Sequence, residues 1–406
     1  MDFDDTPEEA AYRAEARAWL EQHARPRGED THQRGGLSDA YSEEEARHVK
    51  EAKEWQATLA DHGWAGITWP EEYGGRGGTS LQQRVFLQEQ AKFDAPAGVF
   101  AQGIGMAGPT IIAHGTEQQK ERFLRPMLRG DEVWCQLFSE PGAGSDLAGL
   151  QTRAIRDGDE FVVNGQKVWT SSAHYSDWGI LLARTDPDVP KHRGITYFLL
   201  DMRSPGIEIR PIKQITGTAH FNEVFLTDVR IPAENVVGEV NGGWACTMTT
   251  LTNERTLIAG GGGDTFGELL SFARRFGGTD DPVVRQSLAS VYIRVEVLKY
   301  LGWRSQTALS QGRPPGPESS VAKLGYSALL EQLGDVGVAI AGPYGTLLPN
   351  NDDELRSWNQ KLLNQWSARI GGGTDQVQRN IIGERVLGLP GDVRVDKGVP
   401  FNQLPK

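Results

Sequence analysis

A segment rich in small and hydroxyl-bearing residues is the part of this chain best suited to ligand chemistry. Residues 137–146 read LFSEPGAGSD, and residues 163–171 read VNGQKVWTS. In a turn, the hydroxyls and glycines of the first segment let backbone amides face an anionic or carbonyl-rich ligand. The second segment adds the aromatic face of Trp169 beside two further hydroxyls. Together the two segments indicate a cradle for a flavin ring, and turn capping is the alternative role for each hydroxyl.

One carboxylate in a helical stretch has the surroundings that a general base needs. Glu254 has three apolar residues at spacings of three and four: Leu251, Leu257 and Ile258. This spacing predicts that the carboxylate lies on an apolar helix face. Burial there raises a carboxyl pKa toward neutrality, which suits a base that removes a carbon-bound proton. The alternative is an outward-facing glutamate, or one held in a structural ion pair.

Composition argues against several classes of function. The chain has 406 residues, 42 basic and 54 acidic, with a formal charge of -12. This charge disfavours a nucleic-acid or anionic-membrane surface as the main partner. The two cysteines, Cys135 and Cys246, are too few for a disulfide scaffold or a structural metal site. We therefore expect no metal, and we expect Cys135 to be a packed core residue rather than a nucleophile.

The sequence also lacks several signals of targeting and catalysis. The acidic amino terminus resembles neither a signal peptide nor a transit peptide, and no uncharged run approaches membrane-spanning length. We therefore expect a soluble, cytoplasmic protein without membrane insertion. No HExxH, GxSxG or strand-linked GxGxxG motif occurs. A metallohydrolase, an α/β-hydrolase and a Rossmann dehydrogenase are accordingly disfavoured.

The elements that must position these residues change character along the chain. Residues 1–130 have helical periodicity, with three capping signals at Thr6 with Glu9, Ser42 with Glu45, and Thr116 with Gln119. In residues 131–240, the dipeptides Asp157-Gly158 and Asn164-Gly165 separate short apolar runs, which predicts a small antiparallel barrel or sandwich. Helical spacing returns in residues 241–406. The glycines at 260–263 predict either close backbone packing or a local break.

Three segments in this order closely resemble the acyl-CoA dehydrogenase family. They are residues 139–146, residues 169–171 and residues 370–385, which read IGGGTDQVQRNIIGER. The resemblance covers nearly the whole chain. It implies a multidomain α+β fold with an amino-terminal helical domain (1–130), a middle antiparallel β-barrel domain (131–240) and a carboxyl-terminal four-helix-bundle domain (241–406). It also implies FAD as the cofactor and the α,β-dehydrogenation of an acyl-CoA thioester in lipid catabolism by β-oxidation.

The resemblance assigns cofactor roles to particular residues. Phe138 and Ser139 would contact the isoalloxazine ring, Trp169 would cover it, and Ser171 would bond near the flavin N5, which accepts hydride. In the dinucleotide half of FAD, the implied contacts are Thr374, Gln376 and Arg274. The arginine is shifted in spacing from the family pattern, which leaves Arg274 and Arg275 both open. The segment 338–342 also lacks the family's usual glutamine, so the inter-subunit contact with FAD is expected to be rebuilt.

The resemblance also identifies the base. Many members carry the catalytic glutamate at the position of Gly372, whereas the long-chain and isovaleryl branches take it from an earlier helix, at the position of Glu254. The glycine still offers a backbone N–H for the thioester carbonyl. The remaining implied substrate contacts are Ser145, Asn253, Arg255 and Gly373.

The implied partners are an electron-transfer flavoprotein, as electron acceptor, and further copies of the chain in a homotetramer or a dimer. The small residues of segment 99–106 favour a roomy or branched-chain acyl cavity. Two alternatives stay open on sequence grounds. One is a same-fold oxidase or a dehydrogenase of carrier-protein thioesters, and the other is a catalytically silent subunit of a mixed oligomer.

Overall fold

The computed structural model describes residues 5–27, 42–96, 98–260, 265–310, 318–347, 352–391 and 393–404. The chain separates into two compact units. The first comprises Met1–Arg25, Leu37–Glu254 and Asp392–Lys406, and the second comprises Pro26–Gly36 and Arg255–Gly391. The carboxyl-terminal residues thus belong to the same unit as the amino-terminal helices and the sheet. The division into three domains at residues 130 and 240 stays a prediction.

The first unit begins with helices whose ends follow the sequence signals. They are α1 (Pro7–His23), α2 (Glu43–Asp61), α3 (Ser80–Gln90), α4 (Gly108–His114) and α5 (Glu117–Arg129). The reciprocal capping boxes predicted at α1 and α5 are present, and α5 ends at Gly130 in the left-handed conformation. Ser42 caps α2 with its side chain only. A further capping box, Thr79 with Gln82, begins α3 and was not predicted.

A mixed sheet of eight strands forms the middle of the chain. The described residues form ten strands: β1 (Arg25–Pro26), β2 (Phe93–Asp94), β3 (Trp134–Leu137), β4 (Arg153–Asp157), β5 (Glu160–Ser171), β6 (Trp178–Arg184), β7 (Ile195–Asp201), β8 (Ile207–Ile212), β9 (Phe221–Pro232) and β10 (Val236–Val237). β1 and β2 pair separately. The large sheet has the order β10-β7-β6-β4-β5-β9-β8, with β3 beside β6. Most pairings are antiparallel, but β3 and β4 both run parallel to β6.

One of the two predicted turns is present and the other is wrong. Asp157 pairs with Glu160 across a tight turn in which Gly158 has a φ of 62°. At Asn164-Gly165, by contrast, β5 continues as one strand with a register shift. The side chain of Asn164 exchanges two hydrogen bonds of 3.0 Å with Asp228 on β9, which holds the irregularity in the sheet. Gly165 is needed for close approach, because a Cβ there would lie 2.3 Å from the Thr152 hydroxyl.

β3 separates two apolar cores through the alternation of its side chains. Trp134, followed by Phe138 beyond the strand end, packs with α4 and α5, whereas Cys135 and Leu137 pack into the opposite core. Cys135 is fully buried, and burial raises the pKa of its thiol to about 12. The thiol therefore stays protonated, as expected of a core residue.

Six further α-helices follow the sheet in the described residues. They are α6 (Gly243–Gly260), α7 (Thr265–Arg275), α8 (Pro282–Ser310), α9 (Glu318–Ala341), α10 (Asp353–Ile370) and α11 (Asp375–Ile381). α9 and α10 pack closely, since a Cβ at Gly334 would lie 2.7 Å from the Cα of Leu362 and one at Gly337 would lie 2.4 Å from the Trp358 ring. Gly260 is the last residue of α6, and the glycines at 261–263 lie outside the described residues.

The described ranges contain neither a candidate membrane-spanning helix nor a candidate metal-binding cluster. No helix there combines the length and apolarity needed to cross a bilayer. Nor does any group of three or more histidine, cysteine, aspartate and glutamate side chains in these ranges have an arrangement that could hold a metal ion.

Candidate functional site

A buried ion pair fixes the backbone of the first motif. β3 leads directly into residues 138–146, which we call the motif loop. The Glu140 carboxylate accepts the backbone N–H groups of Gln151, at 2.6 Å, and of Thr152, at 2.9 Å. The Lys167 ammonium donates to Glu140 Oε1 at 2.8 Å and to the carbonyl oxygen of Phe138 at 3.0 Å. Strand β5 therefore holds the start of the motif loop through one fully buried lysine.

Burial disfavours the charge on both partners: it lowers the pKa of the Lys167 ammonium, although the Glu140 carboxylate opposes that shift. Burial alone would raise the pKa of Glu140, but the Lys167 ammonium and the two backbone amides outweigh it and hold that pKa below its ordinary value. Breaking such a pair by removing one partner costs about 3–5 kcal/mol, because the other charge stays buried. Sequence reasoning missed this pair. The available signal was a lysine at an inward-facing position of a strand pattern.

A bulge in β5 presents Trp169 outward beside the motif loop. The register between β5 and β9 shifts between Lys167 and Thr170, and Trp169 has a φ of 62°. A bulky residue in this conformation is strained and persists where its surroundings impose it. The constraint is visible, because the backbone N–H of Val168 donates to the carbonyl oxygen of Ser139 at 2.9 Å. The Trp169 side chain is 56 % exposed and meets Phe221 edge to face.

The groups at this edge fit a flavin ring. Within the part of the chain that the structure describes, the hydroxyls of Ser139 and Ser171 have no hydrogen-bond partner. Phe138 is buried against Tyr197, with ring centroids 6.1 Å apart. Free hydroxyl donors, an exposed indole and a backbone held in place are what a ring with one polar edge and one apolar face requires. Phe138, Ser139, Trp169 and Ser171 would hold that ring.

Glu254 lies at the end of a buried stripe on α6. One turn earlier, the Thr250 hydroxyl bonds to the hydroxyls of Thr110, at 2.8 Å, and of Tyr197, at 3.1 Å. Glu254 itself is half-buried, and the side-chain amide of Gln136 donates to its Oε2 at 3.5 Å. Gln136 belongs to β3 and precedes Phe138 by two residues. The candidate base therefore contacts the strand that leads into the motif loop, through a glutamine that sequence reasoning missed.

The predicted apolar face around Glu254 is only partly present. Leu251 packs against the core, but Leu257 is 41 % exposed, and the side chain of Ile258 lies outside the described residues. Among the side chains described on α6, the buried ones are instead Cys246, Thr247 and Thr250. Threonines can be buried here because their hydroxyls donate to carbonyl oxygens one turn earlier in the helix, as Thr250 does to Cys246 at 3.0 Å. A prediction based only on the spacing of apolar residues therefore missed the buried threonines of α6.

The other predicted substrate residues have different surroundings. Ser145 is exposed, as are its neighbours Gly144 and Asp146. A Cβ added at Gly144 would meet no other atom within 4 Å. The side-chain amide of Asn253 donates to the carbonyl oxygen of Thr249 at 2.9 Å, so it is engaged by its own helix. Arg255 is half-buried and follows Glu254 on α6. Ser145 is thus the residue of this group that is displayed on a loop.

In segment 99–106, one small residue, Gly103, is required by packing. Val99 and Phe100 are buried in a cluster with Val133. Gly103 begins a single π-helical turn, Gly103–Ala107, and a Cβ there would lie 3.3 Å from the Trp134 ring. The small size of residue 103 therefore accommodates Trp134.

In the second unit, backbone conformation shapes the glycine motif. Gly372 and Gly373 have φ values of 63° and 84°, which only glycine adopts without strain. The side-chain amide of Gln378 donates to the carbonyl oxygen of Gly372 at 2.9 Å. Thr374 caps α11 by accepting the N–H of Val377. Because Gly372 is left-handed, a glutamate at this position would carry a conformational penalty.

Two ion pairs secure the residue after the cap. The buried carboxylate of Asp375 contacts the Lys323 ammonium and the Arg369 guanidinium, each at 3.3 Å. Gln376, the next residue, is exposed. The two ion pairs of Asp375 therefore anchor the first turn of α11, and the side chain of Gln376 is available to a ligand.

The structure distinguishes the two candidate arginines at the end of α7. Arg275 is engaged by Glu354, at 2.5 Å, and by Asp352. Arg274 is exposed and forms no ion pair with any residue that the structure describes. Arg274 is thus the arginine free to meet an anionic ligand such as a pyrophosphate.

Comparisons with known proteins agree with these features. Family models of acyl-CoA dehydrogenase match residues 6–131 (N-terminal domain), 135–229 (middle domain) and 241–387 (C-terminal domain). The chain is 40 % identical over 387 residues to the acyl-CoA dehydrogenase IpdE1 of Mycobacterium tuberculosis, covering 94 % of this chain and 98 % of the relative.

Two solved structures are also similar along their whole length. A steroid ACAD named Tcur3481-Tcur3483 is 31 % identical with a TM-score of 0.80, over 97 % of this chain and 100 % of the other. The ChsE4-ChsE5 complex of Mycobacterium tuberculosis is 31 % identical with a TM-score of 0.78, at the same coverage. The chain therefore belongs to the acyl-CoA dehydrogenase family of FAD-binding oxidoreductases.

Proposed function

We propose that this enzyme converts an acyl-CoA thioester to the trans-2-enoyl-CoA, with Glu254 removing the α-proton. Bound FAD supplies the acceptor for the β-hydride at its N5. The observation that carries the proposal is the contact of Glu254 with Gln136, on the strand that leads into Phe138 and Ser139. The other position for a base in this family is a left-handed glycine here, Gly372.

The residues around Glu254 suit proton abstraction. A glutamine amide does not ionise, so Gln136 orients the carboxylate without competing for the proton that the carboxylate takes. The role assigned to Gly372 is to polarise the thioester carbonyl through its backbone N–H, which makes the α-proton more acidic and needs no side chain. Ser145 is assigned to the thioester's pantetheine or phosphates.

Substituting Glu254→Gln tests the assignment of the base. The amide keeps the shape of the side chain but cannot accept the proton, so anaerobic bleaching of the flavin by a reactive thioester should slow by about 10³-fold. The yellow cofactor and thioester binding should both persist. Glu239→Gln, at an exposed site just before α6, is the matched control and should bleach at the wild-type rate. A Glu254→Gln enzyme that bleaches normally would place the base elsewhere.

A second substitution tests the vacant family position. Adding Gly372→Glu to Glu254→Gln supplies a carboxylate, but the left-handed backbone penalises it by about 1–2 kcal/mol. We expect only partial recovery, below a tenth of the wild-type bleaching rate. Full recovery would show that the turn accepts a side chain freely and that Gly372 does not determine where the base comes from.

The electron acceptor is proposed to be an electron-transfer flavoprotein. After anaerobic bleaching, admission of air should restore the yellow colour slowly. Rapid recolouring would instead identify the same-fold oxidase. Carrier-protein thioesters, tested beside the CoA thioesters, should bleach the flavin poorly.

A second candidate is that the chain is one subunit of a mixed oligomer acting on a bulky thioester. The names of the two solved relatives favour it, since one is a steroid ACAD and the other is a complex of two named chains. FAD content distinguishes the candidates: about one FAD per chain in the purified protein supports a homo-oligomer, and little or no FAD supports a mixed one. Bleaching by steroid-derived against straight-chain CoA thioesters tests the substrate class.

A further inference from the structure

The carboxyl-terminal segment, residues 393–404, returns to the sheet of the first unit. Its backbone bonds to the loop between β6 and β7: the N–H of Phe401 donates to the carbonyl oxygen of Val189 at 2.9 Å, and that of Asn402 donates to Pro187 at 3.0 Å. Pro400 forms a bridge with Pro190. The segment therefore lies along this loop and is hydrogen-bonded to it through the backbone.

A lysine links this segment to the motif loop. The Lys191 ammonium lies 2.8 Å from the Asp146 carboxylate and 2.7 Å from the Asp396 carboxylate. Burial opposes the charge on Lys191, but the hydrogen bonds to the two carboxylates outweigh it and raise its pKa. Lys191 thus stays charged and joins the last residue of the motif loop to the carboxyl-terminal segment.

A buried arginine makes a second link. The Arg184 guanidinium donates to the carbonyl oxygens of Ala148, at 2.7 Å, and Leu150, at 3.1 Å. Within the described residues it has no carboxylate partner within 4 Å, and the Phe401 ring covers it with its centroid at 3.5 Å. Burial lowers the pKa of Arg184 to about 10, which still leaves it charged at neutral pH. Phe401 therefore shields the Arg184 guanidinium, which is hydrogen-bonded to the residues just after the motif loop.

The motif loop needs such support at this end. Ala143 packs into the core, but a Cβ added at Gly144 would meet nothing within 4 Å, and Ser145 and Asp146 are exposed, so the end of the loop has little packing of its own. Glu140 fixes the start of the loop, through Lys167. The end is fixed through Asp146, by a lysine that the carboxyl-terminal segment also binds.

We propose that residues 393–404 act as a strap that holds the exposed Ser145 in position for the acyl thioester, with Lys191 and Arg184 as positioning residues. The proposal rests on the proposed function in one respect, the assignment of Ser145 to substrate. The strap acts on binding of the thioester and not on the proton or hydride steps. Loosening it should therefore raise KM and leave kcat in place.

The test uses the full chain with the substitutions Asp396→Asn and Phe401→Ala combined. Lys397→Gln, an exposed charge removal in the same segment, is the matched control, and Phe401→Leu keeps an apolar cover over Arg184. We expect the double variant to raise KM for the best CoA thioester about tenfold, equivalent to 1.4 kcal/mol, with kcat within twofold of wild type. Amide hydrogen exchange at residues 142–150 should become faster in the double variant, with or without FAD, and should be unchanged in the control.

The possible outcomes distinguish a failure of the strap proposal from a failure of the proposed function. Faster exchange together with a raised KM supports the strap. Exchange and KM equal to those of the Lys397→Gln control would overturn it. Should wild-type enzyme be bleached by no thioester, the proposed function fails, while the exchange measurement still decides whether the segment holds the loop.

Discussion

The motif loop, residues 138–146, and the glycine turn, residues 371–375, carry the same family resemblance but are built in opposite ways. The loop is held by side-chain charges, with Glu140 on Lys167 at one end and Asp146 on Lys191 at the other. The turn is held by backbone geometry: two left-handed glycines, with the cap of α11 directly after them.

The difference follows from what each region presents to a ligand. The loop displays the hydroxyls of Ser139 and Ser145 on a glycine-rich backbone, so it needs charged anchors from neighbouring strands to stay in place. In the turn, the proposed ligand groups are backbone N–H groups, whose directions are set by φ angles that side chains disfavour. A substitution should therefore damage the loop through charge and the turn through steric strain.

Removing the buried lysine should have the largest effect. Lys167→Met leaves Glu140 charged and buried, and we expect a loss of about 3–5 kcal/mol in the free energy of unfolding, with weaker FAD retention. The double variant Lys167→Met with Glu140→Leu should regain most of that stability, because no charge is left unpaired. Denaturant titration of both variants checks this. A loss below about 1 kcal/mol in the single variant would show that the loop does not depend on the pair.

Neutralising the acid should have a smaller effect that depends on pH. Glu140→Gln keeps an oxygen that can accept from Lys167, so it loses only the charge assistance of these hydrogen bonds, at a cost of about 2–3 kcal/mol at pH 7. Because the pKa of Glu140 in the folded protein lies below its ordinary value of 4.5, its stabilisation is present above that pH and is lost as the pH falls through the folded pKa. The difference in free energy of unfolding between wild type and Glu140→Gln should therefore narrow below pH 4.5, as measured by denaturant unfolding at several pH values. A difference that stays constant on acidification would contradict the ionised pair.

The smallest of these losses is expected in the turn. Gly373→Ala forces a side chain into a φ of 84°, with its Cβ 2.6 Å from the Gln378 amide, and should cost about 2 kcal/mol. Gly383→Ala, where a Cβ would make an ordinary contact at 3.8 Å with Leu389, is the control and should be close to neutral. This loss should be independent of pH, in contrast to that of Glu140→Gln. Equal stabilities of the two alanine variants would show that the turn tolerates side chains.

Local signals in the sequence predicted the parts of the fold that depend on nearby residues. The capping boxes at Thr6 and Thr116 and the turn at Asp157-Gly158 depend on contacts within a few positions, and all three are present. Asn164-Gly165 has the same local signal as a turn. Its side chain instead bonds to Asp228, 64 positions away, so the strand continues. The distant partner, which composition does not reveal, decides the outcome.

In the candidate site, too, local features could be predicted from the sequence, whereas contacts between distant residues could not. Residue type, spacing and resemblance predict roles for the hydroxyls of the motif loop and for Glu254, and those roles stay predictions. The pairing of Glu140 with Lys167, 27 positions apart, could not be predicted, nor could the contact of Gln136 with Glu254, 118 positions apart. The buried stripe of α6 was missed because threonines that bond to their own helix pack like apolar residues.

The central claim, that Glu254 removes the α-proton, is tested most directly by proton exchange. Incubating the FAD-loaded enzyme anaerobically in D₂O with a thioester that has an α-proton but is blocked for hydride loss at the β-carbon isolates this step from flavin reduction. We predict deuterium incorporation at Cα with wild-type enzyme and with Glu239→Gln, and a rate lower by about 10³-fold with Glu254→Gln. Incorporation by Glu254→Gln at the wild-type rate would contradict the account.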